Sequence, residues 1–324
     1  MTPSSAAHEV QSVVDDLYAH YRSLNEGEVA TYIPELAKAN PDNFGVSVVT
    51  AEGRVFEAGD CEQPFTIQSV SKPFTFGIAL EELGHPKVSS YVGVEPSGDA
   101  FNSIELQTGT NRPFNPMVNS GAIAITALLH GQFGEATIDC ILERLSALAG
   151  RTLAIDDDVY ASERRTGHRN RAIAHLLLNF GMLQSEAEAA LDVYFKQCAI
   201  QVTCRDLAMM AASLSNMGRN PITGRIAYDP SAVKDMLSIM FTCGMYDYSG
   251  QWAYRVGVPA KSGVGGGILA VVNRQLGIGT YSPRLDKFGN SRRGVEVCVQ
   301  LAARLGLHVF DCLNSGSSYL SAIL

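Results

Sequence analysis

Apolar residues recur at helical spacing near the start of the chain, at Val10, Val13, Val14, Leu17, Tyr21 and Leu24. Ser4-Ser5 can cap this helix, and Asn25-Glu26-Gly27-Glu28 ends it. Tyr32-Ile33-Pro34-Glu35-Leu36-Ala37 reads as a short helical turn. The spacing then changes to alternation over Phe44–Val49, Ala51-Glu52-Gly53 turns the chain, and a second strand follows at Arg54–Ala58. From Gly84 to Asn115 the chain is loop-like, rich in Pro, Gly, Ser and Asn. Helical patterns occupy about 121–131, 137–149, 168–180, 186–199, 204–217 and 230–242, with Thr203-x-x-Asp206 as a capping box. Strand character returns at Val256–Lys261, Gly267–Val272 and Leu276–Tyr281, and a last helix spans Ser291–Leu305.

Strands thus lie near both ends and helices fill the middle. The economical arrangement is α+β: one antiparallel sheet built from both ends of the chain and covered by the terminal helices, with an all-helical lobe inserted. The sheet lobe takes about 1–84 and 250–324, the helical lobe about 85–249. A small-molecule cleft is expected between them.

The stretch Phe65-Thr66-Ile67-Gln68-Ser69-Val70-Ser71-Lys72-Pro73-Phe74 lies where the sheet lobe hands over to the helical one. Phe76, Ile78, Ala79, Leu80 and Leu83 mark a helix ending near Gly84. Proline is tolerated only in a helix's first turn, so Pro73 pins the helix start close to Ser69. The Ser69 hydroxyl then sits at the N–H-rich end of the helix, one turn from Lys72. A hydroxyl beside an amine there is the layout of a Ser–Lys nucleophile. Ser231-Ala232-Val233-Lys234 has the same spacing, but it follows Asp229-Pro230 and opens an ordinary amphipathic helix, which reads as capping plus a solvated lysine.

Composition narrows the class. Apolar residues make 46% of the 324 and charged ones 18%, which suits a globular protein with a buried oligomer interface. A net charge of −8 without a basic block disfavours nucleic acid or an anionic membrane as partner. The longest apolar run, Ala122–Leu129, is too short to span a bilayer, and no secretory signal precedes the first helix. Seven scattered cysteines argue for reduced thiols and a cytoplasmic location. Neither they nor the seven histidines show zinc spacing, so no metal is expected. The absence of Gly-x-Ser-x-Gly disfavours an α/β-hydrolase.

Other segments offer partners for Ser69. Lys261-Ser262-Gly263-Val264-Gly265-Gly266-Gly267 ends a strand; it is either a hairpin turn or a place where an exposed N–H faces an oxyanion. Asn119, in Asn115-Pro116-Met117-Val118-Asn119-Ser120-Gly121, is either a helix cap or a polar group aimed into a cleft. Glu163 and Asn170 flank the charged run Glu163–Asn170, which by default is a solvated loop and helix start; read functionally, they could hold the ammonium and carboxylate of an amino acid. Tyr194 defaults to a core tyrosine, whereas Tyr246 lies in the irregular segment Cys243–Gly250.

Taken together, Tyr32–Ala37, Gln68–Pro73, Asn115–Ala122, Glu163 with Asn170, Tyr194–Cys198, Cys243–Asp247 and Pro259–Gly267 resemble the serine-dependent glutaminases, in the family's order and over nearly the whole chain. The resemblance implies a β-lactamase/transpeptidase-like fold and hydrolysis of L-glutamine to L-glutamate and ammonia, with no cofactor. It implies Ser69 as the acyl-accepting nucleophile, Lys72 as its base, and the Ser69 and Val264 N–H groups as the oxyanion hole. Substrate contacts would come from Tyr32, Ser69, Asn119, Glu163, Asn170, Tyr194, Tyr246 and Val264, with Tyr246 relaying a proton to ammonia. A homodimer or homotetramer fits the family, and the C-terminal ankyrin repeats of larger animal relatives are not expected. Two rivals share the scaffold: a β-lactamase or peptidoglycan peptidase, and a non-catalytic amino-acid sensor.

Overall fold

A computed structural model describes residues 3–98, 104–183 and 186–311. In chain order its helices are α1 (Pro3–Tyr21), α2 (Lys72–Tyr91), α3 (Asn119–Phe133), α4 (Thr137–Ala149), α5 (Asp157–Thr166) and α6 (His168–Asn179). They continue as α7 (Ala187–Cys198), α8 (Cys204–Ser215), α9 (Pro230–Cys243), α10 (Ser249–Arg255) and α11 (Arg292–Leu305). The strands are β1 (Gly45–Thr50), β2 (Val55–Gly59), β3 (Phe65–Thr66), β4 (Ala154–Ile155), β5 (Ile200–Val202), β6 (Ala260–Ser262), β7 (Gly267–Val272) and β8 (Leu276–Tyr281).

The main sheet is antiparallel in the order β2-β1-β8-β7-β6, so its centre joins the early strand β1 to the late strand β8. Both faces are buried, and the alternation of side chains sorts them. Ile268, Ala270 and Val272 of β7 join Val46 and Val48 of β1 in a core with Leu17 of α1 and Val297 and Leu301 of α11. Leu269 and Val271 point the other way, into the core shared with the helical layer. There α8 lies directly on the sheet, with Ala208 and Ala212 against Val49. Gly279 makes this approach possible: a Cβ on it would come within 2.3 Å of the Cys204 carbonyl oxygen. α3, buried along most of its length, runs through the middle of the helical layer.

The Thr203–Asp206 capping box forms as expected, and Ser231 and Lys234 are exposed at the start of α9. The cap assigned to Ser4-Ser5 lies outside the described side chains, in a helix that begins at Pro3.

Other boundaries differ. The chain breaks from helical geometry at Gly84 (φ 76°), but helix resumes to Tyr91 where a loop was expected, because Pro86 is tolerated in a new first turn. The charged run before Asn170 is not loop: Glu163 belongs to α5, whose N-terminus Asp156 caps by accepting from Val159 N–H at 3.0 Å. Val256–Lys261 is mostly not strand, since α10 and the buried Val256 and Val258 precede β6. A second, three-stranded sheet, β3-β5-β4, escaped notice because its strands run only two or three residues, too few for a period.

Candidate active site

Two short structures deliver Ser69. β3 pairs with β5 through Phe65↔Val202, and Ile67 N–H continues the ladder to the Ile200 carbonyl at 2.8 Å. The chain then turns through a 3-10 segment, Gln68–Ser71, before α2 begins at Lys72 with Pro73 in its first turn. Ser69 therefore lies one turn ahead of the α-helix expected to start beside it. The 3-10 geometry superposes side chains three residues apart, which keeps Ser69 and Lys72 on one side.

Gln68 adopts φ 51° and Tyr246 φ 56°, a left-handed conformation costly for side-chain-bearing residues. These two strained positions converge: the Ser69 hydroxyl acts on the Tyr246 phenol, drawing its pKa down against the larger rise from burial. The phenol in turn donates to the Ser262 carbonyl at 2.9 Å. Burial pushes Tyr246 well above the ordinary phenol range, so it is a neutral phenol.

Lys72 is 1% exposed, and its ammonium donates to the Met117 carbonyl at 3.2 Å and to Asn119 Oδ1 at 2.6 Å. Burial lowers its pKa to about 8, against smaller raising contributions from Cys198 and Glu163. Asn119 does not cap α3, a role position Val118 takes without a side-chain bond; its Nδ2 donates instead to Asn170 Oδ1 at 3.0 Å. Asn170 stands in the first turn of α6.

Glu163 accepts from Gln68 Nε2 at 2.7 Å and is otherwise walled off from solvent. Burial raises its carboxyl to about 8, with the Gln68 bond and the Lys72 charge acting the other way. Tyr194, 2% exposed on α7, is pushed well above the usual phenol range by burial and the nearby Cys198. The turn Gly263–Gly266 leans on the strand that leads to Ser69: a Cβ on Gly265 would sit 2.6 Å from the Thr66 carbonyl oxygen. That contact sets Val264 beside Ser69, and among the described residues its N–H makes no backbone hydrogen bond.

One cavity of about 100 Å³ collects these groups: Ser69, Asn119, Glu163, Asn170, Tyr194 and Val264 line it, with Tyr32, 56% exposed, at its mouth. Lys72 and Tyr246 lie outside its lining, reaching it through Asn119 and Ser69 respectively. Three further residues belong to the site and were not singled out from sequence. Gln68 orients Glu163, and Cys198 lines the cavity wall. Lys261 lies 4.1 Å from the centre of the Tyr246 ring and donates to the Gly244 and Ser262 carbonyls. Burial, then the Lys72 charge, drives Lys261 well below the usual lysine range. Gln68 and Lys261 both sit in the segments that carry the family resemblance, which was the available signal.

A family model described as Glutaminase matches residues 27–310. A glutaminase of Trichormus variabilis is 55% identical over 303 residues, spanning 94% of this chain and 91% of the relative. The solved structure "Mglu in its glutamate form" is 43% identical with a TM-score of 0.89, covering 93% of this chain and 70% of that one. A "Probable glutaminase from Bacillus subtilis complexed with 6-diazo-5-oxo-L-norleucine" is 36% identical with a TM-score of 0.85, covering 93% and 96%.

Proposed function

The chain belongs to the serine-dependent glutaminase family, and from that membership we propose that it hydrolyses L-glutamine to L-glutamate and ammonia through an acyl-enzyme on Ser69. The observation that carries the reading is the convergence on one small cavity of a hydroxyl, a free N–H at Val264, a buried carboxylate and two carboxamides. That set matches a zwitterion with one amide to cleave.

Glutamine enters with its ammonium toward Glu163. A carboxyl near 8 is mostly protonated at neutral pH in the empty cavity, and the arriving cation favours its ionised form. The Nδ2 groups of Asn119 and Asn170 and the Tyr194 hydroxyl receive the α-carboxylate. Ser69 Oγ attacks the side-chain carboxamide carbon, and the oxyanion forms against the Ser69 and Val264 N–H groups.

Lys72 is the base in its neutral form. A neutral amine has two N–H donors and one lone pair; Met117 O and Asn119 Oδ1 take the donors, which leaves the lone pair for the Ser69 proton. Tyr246 acts as a relay, giving its proton to the leaving nitrogen and taking up the one that Lys72 removed from Ser69, so that ammonia departs, the phenol is restored and Lys72 is neutral again. Water then repeats the attack on the glutamyl ester and frees Ser69. Ser69→Ala should remove ammonia release while leaving glutamate binding, read by calorimetry, within a few-fold of wild type; turnover near wild type in that variant would refute the assignment.

Two expectations join the proposal. Among the described residues no helix is long and apolar enough to cross a membrane, which is compatible with a cytoplasmic enzyme. Association into a homodimer or homotetramer is read by light scattering of the full chain.

A further inference from the structure

Cys61 and Cys204 meet away from the catalytic cavity. Cys61 follows β2, and Cys204 opens α8 two residues beyond β5. Arg205 N–H donates to the Cys61 carbonyl at 3.2 Å, so the two backbones run side by side. The two sulfurs lie over neighbouring rungs of the main sheet. Cys61 Sγ donates to Val46 O and Cys204 Sγ to Gly279 O, each at 3.2 Å, and Val46 and Gly279 belong to adjacent rungs of the β1–β8 ladder. Each thiol perturbs the other: Cys204 lowers the pKa of Cys61, while burial and then Cys61 raise that of Cys204.

The surroundings hold the pair in place. The Arg205 guanidinium grips the Glu57 carboxylate, with Nε at 2.8 and 2.9 Å from its two oxygens, and also pairs with Glu62, the residue after Cys61. Cys61, 4% exposed, also lines a surface hollow of about 480 Å³ shared with Glu57, Asp60, Glu62 and Arg205, the side from which a small oxidant would approach it. Cys204 is completely buried behind it. A thiol on the hollow's side backed by a second one is the arrangement in which a first oxidation is captured as a disulfide.

We propose that Cys61 and Cys204 are a reversible redox pair, converted by hydroperoxides into a disulfide that staples the segment leading to Ser69 onto the start of α8. Cys61 sulfur attacks the peroxide oxygen, breaking the O–O bond and giving a sulfenic acid and one water. Cys204 sulfur then displaces the hydroxyl as a second water while losing its proton. In sum two thiols and one H2O2 give one disulfide and two H2O. The cross-link fastens the open end of the β3–β5 ladder, four residues upstream of Phe65, and closes a long loop between the two lobes. Long closed loops gain the most from a cross-link that the unfolded chain must carry.

The test is peptide mapping of the full-length folded protein after hydrogen peroxide, with free thiols alkylated before digestion. The proposal expects a Cys61–Cys204 linked peptide that dithiothreitol abolishes. Tryptic residues 197–205 carry both Cys198 and Cys204, so fragmentation must assign the sulfur. It also expects a thermal midpoint roughly 5 °C higher in the oxidised protein, reversed by dithiothreitol and absent from Cys61→Ser. Both cysteines recovered alkylated, Cys61 linked to any other cysteine, oxidation ending at sulfinic acid, or a linked pair with an unchanged midpoint would each overturn it. The wild-type map decides the linkage even if a serine variant does not fold.

Discussion

Lys72 Nζ and Asn119 Oδ1 are 2.6 Å apart, across a sequence separation of 47 residues. The contact ties the buried Lys72 amine to a carboxamide that lines the cavity, and through Asn119 Nδ2 to Asn170 on another helix. In the proposed mechanism, binding and proton transfer therefore share one hydrogen-bonded chain. Disturbing either end should be felt at the other.

The pH dependence follows from the two groups near 8. Lys72 serves as base only when neutral, and Glu163 holds an ammonium only when ionised; both conditions are met more fully as pH rises through about 8. kcat/KM for ammonia release, which reports the free enzyme's groups, should climb between pH 6 and 8.5 and then level. In Glu163→Gln the climb should persist with a shallower slope and a higher KM. A flat wild-type profile over this range would contradict the role given to Lys72.

Glu163 should also cost the ligand-free protein stability as pH rises. Its folded pKa lies above the ordinary 4.5, so between 4.5 and about 8 the folded state keeps a proton that the unfolded chain has shed. The contribution is fully present below pH 4.5 and is lost as pH climbs through about 8. The carboxamide of the Glu163→Gln variant has no such proton and can still accept from Gln68. Thermal melts of the two proteins should nearly coincide at pH 4.5, and the variant should melt several degrees higher at pH 8.5. A gap that is constant with pH would contradict it.

Gly265→Ala probes the oxyanion site without touching a reacting group. The new methyl would lie 2.6 Å from the Thr66 carbonyl oxygen, so the turn carrying Val264 must withdraw. Loss of one oxyanion donor typically costs about 2.7–4 kcal/mol in the barrier. kcat should fall on the order of a hundredfold or more, with a smaller change in KM and an unchanged far-ultraviolet spectrum. A kcat within twofold of wild type would mean that the Val264 N–H is not used.

The sequence carried the sheet through Gly267–Val272 and Leu276–Tyr281, where alternation and turn residues agree, and it carried α8 through its capping box. It misread the stretch before Asn170, because α5 has few apolar positions and draws its definition from the Asp156 cap and from packing beneath. The Asn119 cap was a sound local expectation that tertiary context overrode: Lys72 claims the oxygen that a cap would have used. That Ser69 and Lys72 stand one turn apart at the head of α2 was legible from spacing and Pro73. The link from Gln68 to Glu163 was not, because nothing local connects residues 95 apart.

The most direct measurement is to treat the enzyme with 6-diazo-5-oxo-L-norleucine, an electrophilic glutamine analogue, and to locate the adduct by peptide mass spectrometry. The account predicts one adduct per chain, on Ser69, formed in step with loss of ammonia release and blocked by L-glutamate. An adduct on any other side chain, or full inactivation with Ser69 unmodified, would contradict it.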